Sequence, residues 1–218
     1  MVGIDLGVRD LVVIATPDGR EVDRIVAPRP LEAAQARLRT LQRKAARQHG
    51  PYDPETKTRR EPSAGWRKTQ AEVAKTHHRV ANLRETHLHT ITKRLATRHD
   101  FIGIETLMVK PMMARGPIWK RKLNRGLHDA SFAEITRQLT YKTPWYGSTL
   151  VKADRTYAST QICSTCKTPA ITKLALHHRT FRCDTCGVSL DRDLNAAINL
   201  AHVATAVTAP ATAIAQAQ

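Results

Sequence analysis

The sequence is poor in several things, and each shortage excludes something. Aromatic residues make up only 5% of the 218, too few for an RNA-binding sheet studded with stacking rings. Acidic residues are scarce, 19 Asp+Glu against 35 Lys+Arg, which leaves a formal charge of +16 and a pI near 10.3. Such an excess points to a polyanionic partner, nucleic acid before membrane surface. Cysteine is confined to four residues between 163 and 186, which rules out a distributed disulfide framework. Long apolar runs are missing. Residues 194–218 carry no charged residue, yet their Ala and Thr are interrupted by Asn195, Asn199, His202 and Pro210. That falls short of the roughly 20 strongly apolar residues a spanning helix needs. The stretch reads as a short helix and then a flexible tail over 206–218. Met1-Val2-Gly3-Ile4-Asp5 has a carboxylate and no basic n-region, so no secretory signal is expected.

What is there has globular proportions, 41% hydrophobic and 25% charged, so wholesale disorder is not expected. Residues 2–6 and 11–16 are short β-branched runs, and Pro17-Asp18-Gly19 turns into an alternating segment at 21–27. This predicts a three-stranded meander. Leu31, Leu38, Leu41 and Ala45 recur at helical spacing, as do Val73, His77, Val80, Leu88, Ile91 and Leu95. Pro and Gly between 49 and 65 break the pattern into a helical hairpin. Residues 31–99 hold 16 Lys+Arg and 6 Asp+Glu, a net +10, which favours nucleic-acid contact over a merely solvated face. Arg43, Lys44 and Arg47 are its expected contact residues. A further strand is expected at 100–106. It is followed by a basic, irregular stretch with Lys110, Arg115, Lys120, Arg121, Lys122 and Arg125 around Trp119. A helix near Ala130, Phe132, Ile135 and Leu139, a strand at 148–154 and a closing helix through Leu194, Ala197, Ile198 and Ala201 complete the pattern. The fold expected is α/β with two insertions.

Cys163-Ser164-Thr165-Cys166 and Cys183-Asp184-Thr185-Cys186 are two C-x-x-C pairs with 16 residues between them. That spacing lets each pair clamp one side of a tetrahedral Zn²⁺, and four thiolates leave no position for substrate, so the zinc would be structural. A redox pair needs only one such motif. His177 and His178 are alternative ligands. Three carboxylates are candidates for chemistry. Asp5 lies in the first strand between Gly3 and Gly7, Glu105 ends the separate strand, and Asp193, two after Asp191, opens the last helix. Converging acids of this kind hold two Mg²⁺ or Mn²⁺ ions for in-line attack on a phosphodiester. The alternatives are a turn for Asp5, an arginine partner for Glu105 and a helix cap for Asp191 or Asp193.

In this order, the motifs resemble the nuclease-bearing portion of the transposon-encoded TnpB (OrfB) family of RNA-guided DNA endonucleases. The resemblance runs from Val2-Gly3-Ile4-Asp5-Leu6-Gly7 through Ile102-Gly103-Ile104-Glu105-Thr106-Leu107 and the paired cysteines. It ends on Asp191-Arg192-Asp193-Leu194-Asn195-Ala196-Ala197-Ile198-Asn199-Leu200. It implies an RNase H-like (RuvC-like) mixed sheet, discontinuous over 1–30, 100–158 and 190–205. A basic helical insertion would occupy 31–99 and a zinc ribbon 159–189. It also implies Asp5, Glu105 and Asp193 as catalytic acids, with Asp191 as the alternative third. Cleavage would leave 5′-phosphate and 3′-hydroxyl ends, with DNA as substrate and guide RNA as a partner of full-length relatives. The expected location is the cytoplasm of a prokaryotic cell, at the nucleoid, with no membrane association. Relatives carry a long N-terminal wedge and recognition region, whereas here the first aspartate is residue five. The competing expectation is therefore a truncated or inactive nucleic-acid-binding zinc-ribbon protein. A purely structural zinc ribbon is a third reading.

Overall fold

The computed structural model describes residues 1–50, 52–59, 61–114, 116–117, 120–171, 174 and 178–208. Arg115, Trp119, His177 and the tail from 209 lie outside the described residues. In chain order the elements are β1 (Val2–Leu6), β2 (Asp10–Ala15), β3 (Glu21–Val26), α1 (Pro30–Gln48), β4 (Tyr52–Asp53), β5 (Thr58–Arg59) and α2 (Ala64–Arg98). There follow β6 (Phe101–Ile104), α3 (Val109–Met112), α4 (Lys120–Ala130), α5 (Phe132–Trp145), β7 (Thr149–Lys152), β8 (Thr180–Arg182), β9 (Ser189–Asp191) and α6 (Arg192–Thr208).

The main sheet has the order β3-β2-β1-β6-β7, with β1, β2 and β3 antiparallel and β1, β6 and β7 parallel. Strands β1 and β2 are buried along their whole length. This is why they read as continuous apolar runs rather than alternating ones: both faces of the sheet are covered. Leu11, Val12 and Ile14 of β2 join the core formed with Leu88, Ile91 and Leu95 of α2 and Phe132, Ile135 and Leu139 of α5. On the other face Val13 and Ala15 meet Ala197 and Ile198 of α6. Gly19, at φ +94°, supplies the left-handed residue that closes the β2–β3 turn.

Helix α6 lies directly on β1 and β6. A Cβ on Gly3 would overlap the Ala197 carbonyl and the Ala201 nitrogen, and one on Gly103 would overlap the Leu200 carbonyl. These glycines are register partners across the parallel pair, so together they form a flat seat for the helix. Gly103→Ala is expected to cost about 1–3 kcal/mol or more through overpacking against backbone, a fall in Tm of about 2–12 °C. An unchanged thermal-denaturation midpoint would mean that the helix does not rest there.

The chain divides into two compact units, Met1–Ala27 with Leu88–Gln218, and Pro28–His87. The expected insertion at 31–99 is therefore too long at its C-terminal end. The last turns of α2 carry Leu88, Ile91 and Leu95 into the core of the sheet unit, although the helix itself is unbroken. Within the smaller unit Thr69 donates to Gln48 Oε1 at 2.6 Å, His49 meets Trp66 edge-on at 5.4 Å, and Arg37 pairs with Glu72 at 3.0 Å. Two further expectations are corrected. The basic stretch after Glu105 is largely helical, because Leu123, Leu127 and Ala130 recur at i, i+4 and i+7 and pack on the core. The closing helix runs on to Thr208, so the tail expected from 206 starts too early.

Candidate active site and cysteine module

Side chains two apart on a strand share a face, so Gly3 and Asp5 face the same way, as do Gly103 and Glu105. Because Gly3 and Gly103 are in register, Asp5 and Glu105 lie next to each other at the carboxyl ends of β1 and β6. Ala197 rests over Gly3, and Asp193 is four residues earlier on α6. Four helical residues rise about 6 Å and two strand residues about 6.6 Å, so Asp193 arrives level with Asp5. The pattern Gly-Ile-acid, present at both Gly3-Ile4-Asp5 and Gly103-Ile104-Glu105, thus encodes seat and carboxylate together.

The three acids affect one another. Asp5 is 5% exposed and Asp193 8%. Burial first, then the charges of Glu105 and Asp193, hold the Asp5 carboxyl well above the usual carboxylate range, against the opposing Arg192. Burial, opposed by Arg192 and reinforced by Asp193, pushes Glu105 up to about 7. Asp193 is raised by burial and by Asp191, against Arg179, Arg192 and Arg24. Buried carboxylates that resist ionisation in one another's company form a hard-oxygen donor set suited to a divalent cation. Asp191 does a different job. Its Oδ1 accepts from the backbone N–H of Asp193 and of Leu194, both at 3.0 Å, and so caps α6.

Sequence reasoning missed two cations here. Arg24 on β3 bridges Asp10 at 3.1 Å, Glu21 at 2.9 Å and Asp191 at 3.1 Å, which fixes the cap. Arg179 sits 3.3 Å from Asp193 Oδ2. It also missed Asn195 and Asn199, both fully buried. Their i, i+4 spacing in the uncharged, Ala-rich part of the helix was the available signal.

Among the described residues, the four cysteines are the only group of three or more His, Cys, Asp or Glu whose ligand atoms all lie within 4.8 Å of one another. Cys163 and Cys186 sulfurs are 3.6 Å apart, and those of Cys166 and Cys183 3.5 Å. A tetrahedral site with Zn–S of about 2.3 Å requires sulfurs about 3.8 Å apart, so the four thiols fit zinc. All four sulfurs converge, two from each motif, whereas a redox pair needs only one C-x-x-C. Each motif forms the same turn, with Lys167 N–H bonding the Cys163 carbonyl and Gly187 N–H bonding that of Cys183, both at 3.0 Å. Lys167 (φ +61°) and Gly187 (φ +74°) occupy equivalent left-handed positions. A hydrogen bond from Thr168 is the main cause that lowers the Cys166 thiol to about 6. His178 is exposed, and its carbonyl accepts from Arg192 at 3.5 Å. The exposed Arg43, Lys44 and Arg47 lie on α1, and Lys120, Arg121 and Lys122 form the first turn of α4, with Arg121 and Lys122 exposed.

Three carboxylates gathered at the ends of parallel strands, and a four-thiol cluster beside the helix packed over them, mark the candidate sites of a mixed α/β protein. Residues 1–115 match the OrfB family of IS605, described as "Probable transposase", and residues 132–200 match "Cas12f1-like, TNB domain". The chain belongs to this TnpB/OrfB transposase family. It is 37% identical over 202 residues to "Putative RNA-guided DNA endonuclease Rv2885c" of Mycobacterium tuberculosis, covering 92% of this chain and 41% of that protein. To "Putative RNA-guided DNA endonuclease InsQ" of Escherichia coli it is 30% identical, covering 96% and 50%. The chain thus spans half or less of the length of these curated relatives. It shares its fold with the protein in the solved structure titled "Cryo-EM structure of the Cas12f1-sgRNA-target DNA complex". The TM-score there is 0.61 at 16% identity, covering 92% of this chain and 49% of that one. No helix among the described residues is long and apolar enough to cross a membrane.

Proposed function

We propose that this chain carries the DNA-cleaving centre of an RNA-guided endonuclease, with Asp5, Glu105 and Asp193 as its catalytic acids on a RuvC-like sheet. One observation carries the reading: the Gly3–Gly103 register and the α6 seat bring three acids from distant parts of the chain into mutual electrostatic contact. A sheet of three antiparallel strands extended by two parallel ones, closed by a C-terminal helix, supports the RNase H-like assignment. Asp5, Glu105 and Asp193 would hold paired Mg²⁺ or Mn²⁺ ions, which would supply Lewis acidity for in-line hydrolysis of a phosphodiester. The chain's own part is to hold three largely buried carboxylates together at the strand ends. Asp191 is engaged in the cap, which favours Asp193 as the third acid. Arg179 lies against Asp193 and would exchange that contact for one to the substrate phosphate. Structural zinc on Cys163, Cys166, Cys183 and Cys186 would hold the module. Arg43, Lys44, Arg47, Lys120, Arg121 and Lys122 would meet DNA and guide RNA, in the cytoplasm of a prokaryotic cell.

A non-catalytic nucleic-acid binder is the second reading. It is favoured by the Arg179–Asp193 pair and by acid oxygens that are not all within 4.8 Å of one another. One experiment separates the two: single-stranded DNA incubated with Mn²⁺ and either wild type or Glu105→Gln, with binding measured across a salt series. Cleavage by wild type alone supports the nuclease. Equal inertness, with an affinity that falls steeply with salt, supports the binder.

A further inference from the structure

One helix serves both metal-binding regions. At about 100° per residue, Asp193, Ala197 and Leu200 share the face of α6 that presses on the sheet. Asn195 and Asn199 share another, about 200–240° round from Asp193. That second face grips the first cysteine turn. Asn195 Nδ2 donates to the Ile162 carbonyl at 2.7 Å, and its Oδ1 accepts from the Ser164 N–H at 2.9 Å. Asn199 Nδ2 donates to the same Ile162 carbonyl at 2.7 Å and to the Ser159 carbonyl at 2.9 Å. Ile162 and Ser164 are the residues on either side of Cys163, so the two amides bracket one of the four sulfur ligands. The Asn199 Oδ1 is buried with no hydrogen-bond partner. That is a cost the two donated bonds must offset. At the other end of the module, Arg192 N–H bonds the Arg179 carbonyl at 2.7 Å, which fastens the residue before Asp193 to the chain just ahead of β8.

We propose that Asn195 and Asn199 are positioning residues that couple the cysteine module to the carboxylate cluster, so that metal occupancy at the four thiols sets the cluster's affinity for divalent cation. The proposal rests on the reading of Asp5, Glu105 and Asp193 as a cation site. The physical warrant is that α6 cannot tilt independently at its two faces. Its seat on Gly3 and Gly103 is backbone against backbone, and its hold on the first cysteine turn is four hydrogen bonds, all buried or part-buried. Displacing either end moves Asp193. Coupling of this kind is reciprocal: what loosens the thiols weakens the acids, and the reverse.

The test uses the full chain. Mn²⁺ affinity is measured by electron paramagnetic resonance, and zinc release by transfer to a chelating dye, for wild type, Asn195→Ala, Asn195→Asp and Asn199→Ala. Asn195→Asp keeps the acceptor for Ser164 but sets an oxygen against the Ile162 carbonyl. Expected are Mn²⁺ affinity lowered and zinc release hastened together, each by roughly 5- to 150-fold. Leu139→Ala, a core change on the opposite face of the sheet, should lower Tm and leave the Mn²⁺ affinity of the folded protein unchanged. Faster zinc release with wild-type Mn²⁺ affinity would overturn the proposal. A second readout needs neither variants nor Mn²⁺. Hydrogen exchange across Leu194–Ile198 in wild type should accelerate when zinc is stripped, and unchanged protection there would also overturn it. Absence of Mn²⁺ binding in wild type, with exchange responding as expected, would instead count against the cation site and leave the coupling standing.

Discussion

Asp5→Asn should lower Mn²⁺-dependent DNA cleavage by at least about a thousandfold and, in the presence of chelator, raise the melting temperature by about 2 °C or more. The two effects have one origin. Asp5 is buried near the end of β1, and burial, Glu105 and Asp193 disfavour its ionised form more than Arg192 favours it. Asparagine keeps the shape and removes the charge. The sign follows from linkage. A carboxyl whose folded pKa is raised contributes its stability at low pH and loses it as pH rises through the folded value. For Glu105 that window runs from its ordinary 4.5 to about 7, and Asp5 is shifted in the same direction. Wild type without metal should therefore lose stability as pH rises from 5 to 8, and the advantage of Asp5→Asn should widen over that range. The gain in Tm that Mn²⁺ confers on wild type should vanish in the variant. Calorimetry across pH with EDTA or Mn²⁺, beside a nicking assay, measures all of this. A variant that cuts as well as wild type, or that is less stable at every pH, would reduce Asp5 to a structural residue.

Cys183→Ser should abolish stoichiometric zinc and open the module to protease between Cys166 and Cys186. Among the described residues the segment has a small core: Cys163, Phe181 and Cys183 are its buried cluster, edged by Cys166, Ala170, Leu174 and Val188. Two of its three buried members are the proposed ligands themselves. With so little apolar area, bound zinc would supply most of the stability; structural zinc in small modules is worth about 10–16 kcal/mol of apparent binding free energy. Replacing one thiolate by a hydroxyl removes a soft ligand and leaves three. Metal analysis, tryptic digestion and loss of Phe181 burial should report together. Retention of one zinc and of protease resistance would mean that these sulfurs are not the ligands.

The strands, the helical hairpin and the paired cysteines were readable because each has a period or spacing that physics ties to one structure. Asp5 and Glu105 stood out as candidates, since one lies within an apolar strand pattern and the other ends one. What joins them was not. The mutual register of Gly3 and Gly103 pairs residues a hundred positions apart, and only the topology reveals that both glycines lie under α6. Arg24 and Arg179 reach their carboxylates with long, flexible arms from an edge strand and a loop, positions with no pattern of their own. The helix at Lys120 was hidden because its cations outnumber the three apolar residues that carry its period. In α2 the helical pattern never breaks, so nothing local marks where its burial passes from one unit to the other at Leu88.

The placement of the three acids has a consequence for how the molecule is made. Asp5 and Asp193 stand almost at opposite ends of the described chain, and β1 can pair with β6 only after a hundred residues have followed it. At about 5–20 residues per second, Asp193 leaves the ribosome roughly 10 to 40 s after Asp5. Such distant pairings are also slow to close once the chain is free. During that interval the first two carboxylates have no third, and the seat on Gly3 and Gly103 is bare. A carboxylate cluster divided in this way stays incomplete until the last helix is in place, so synthesis order alone delays its assembly.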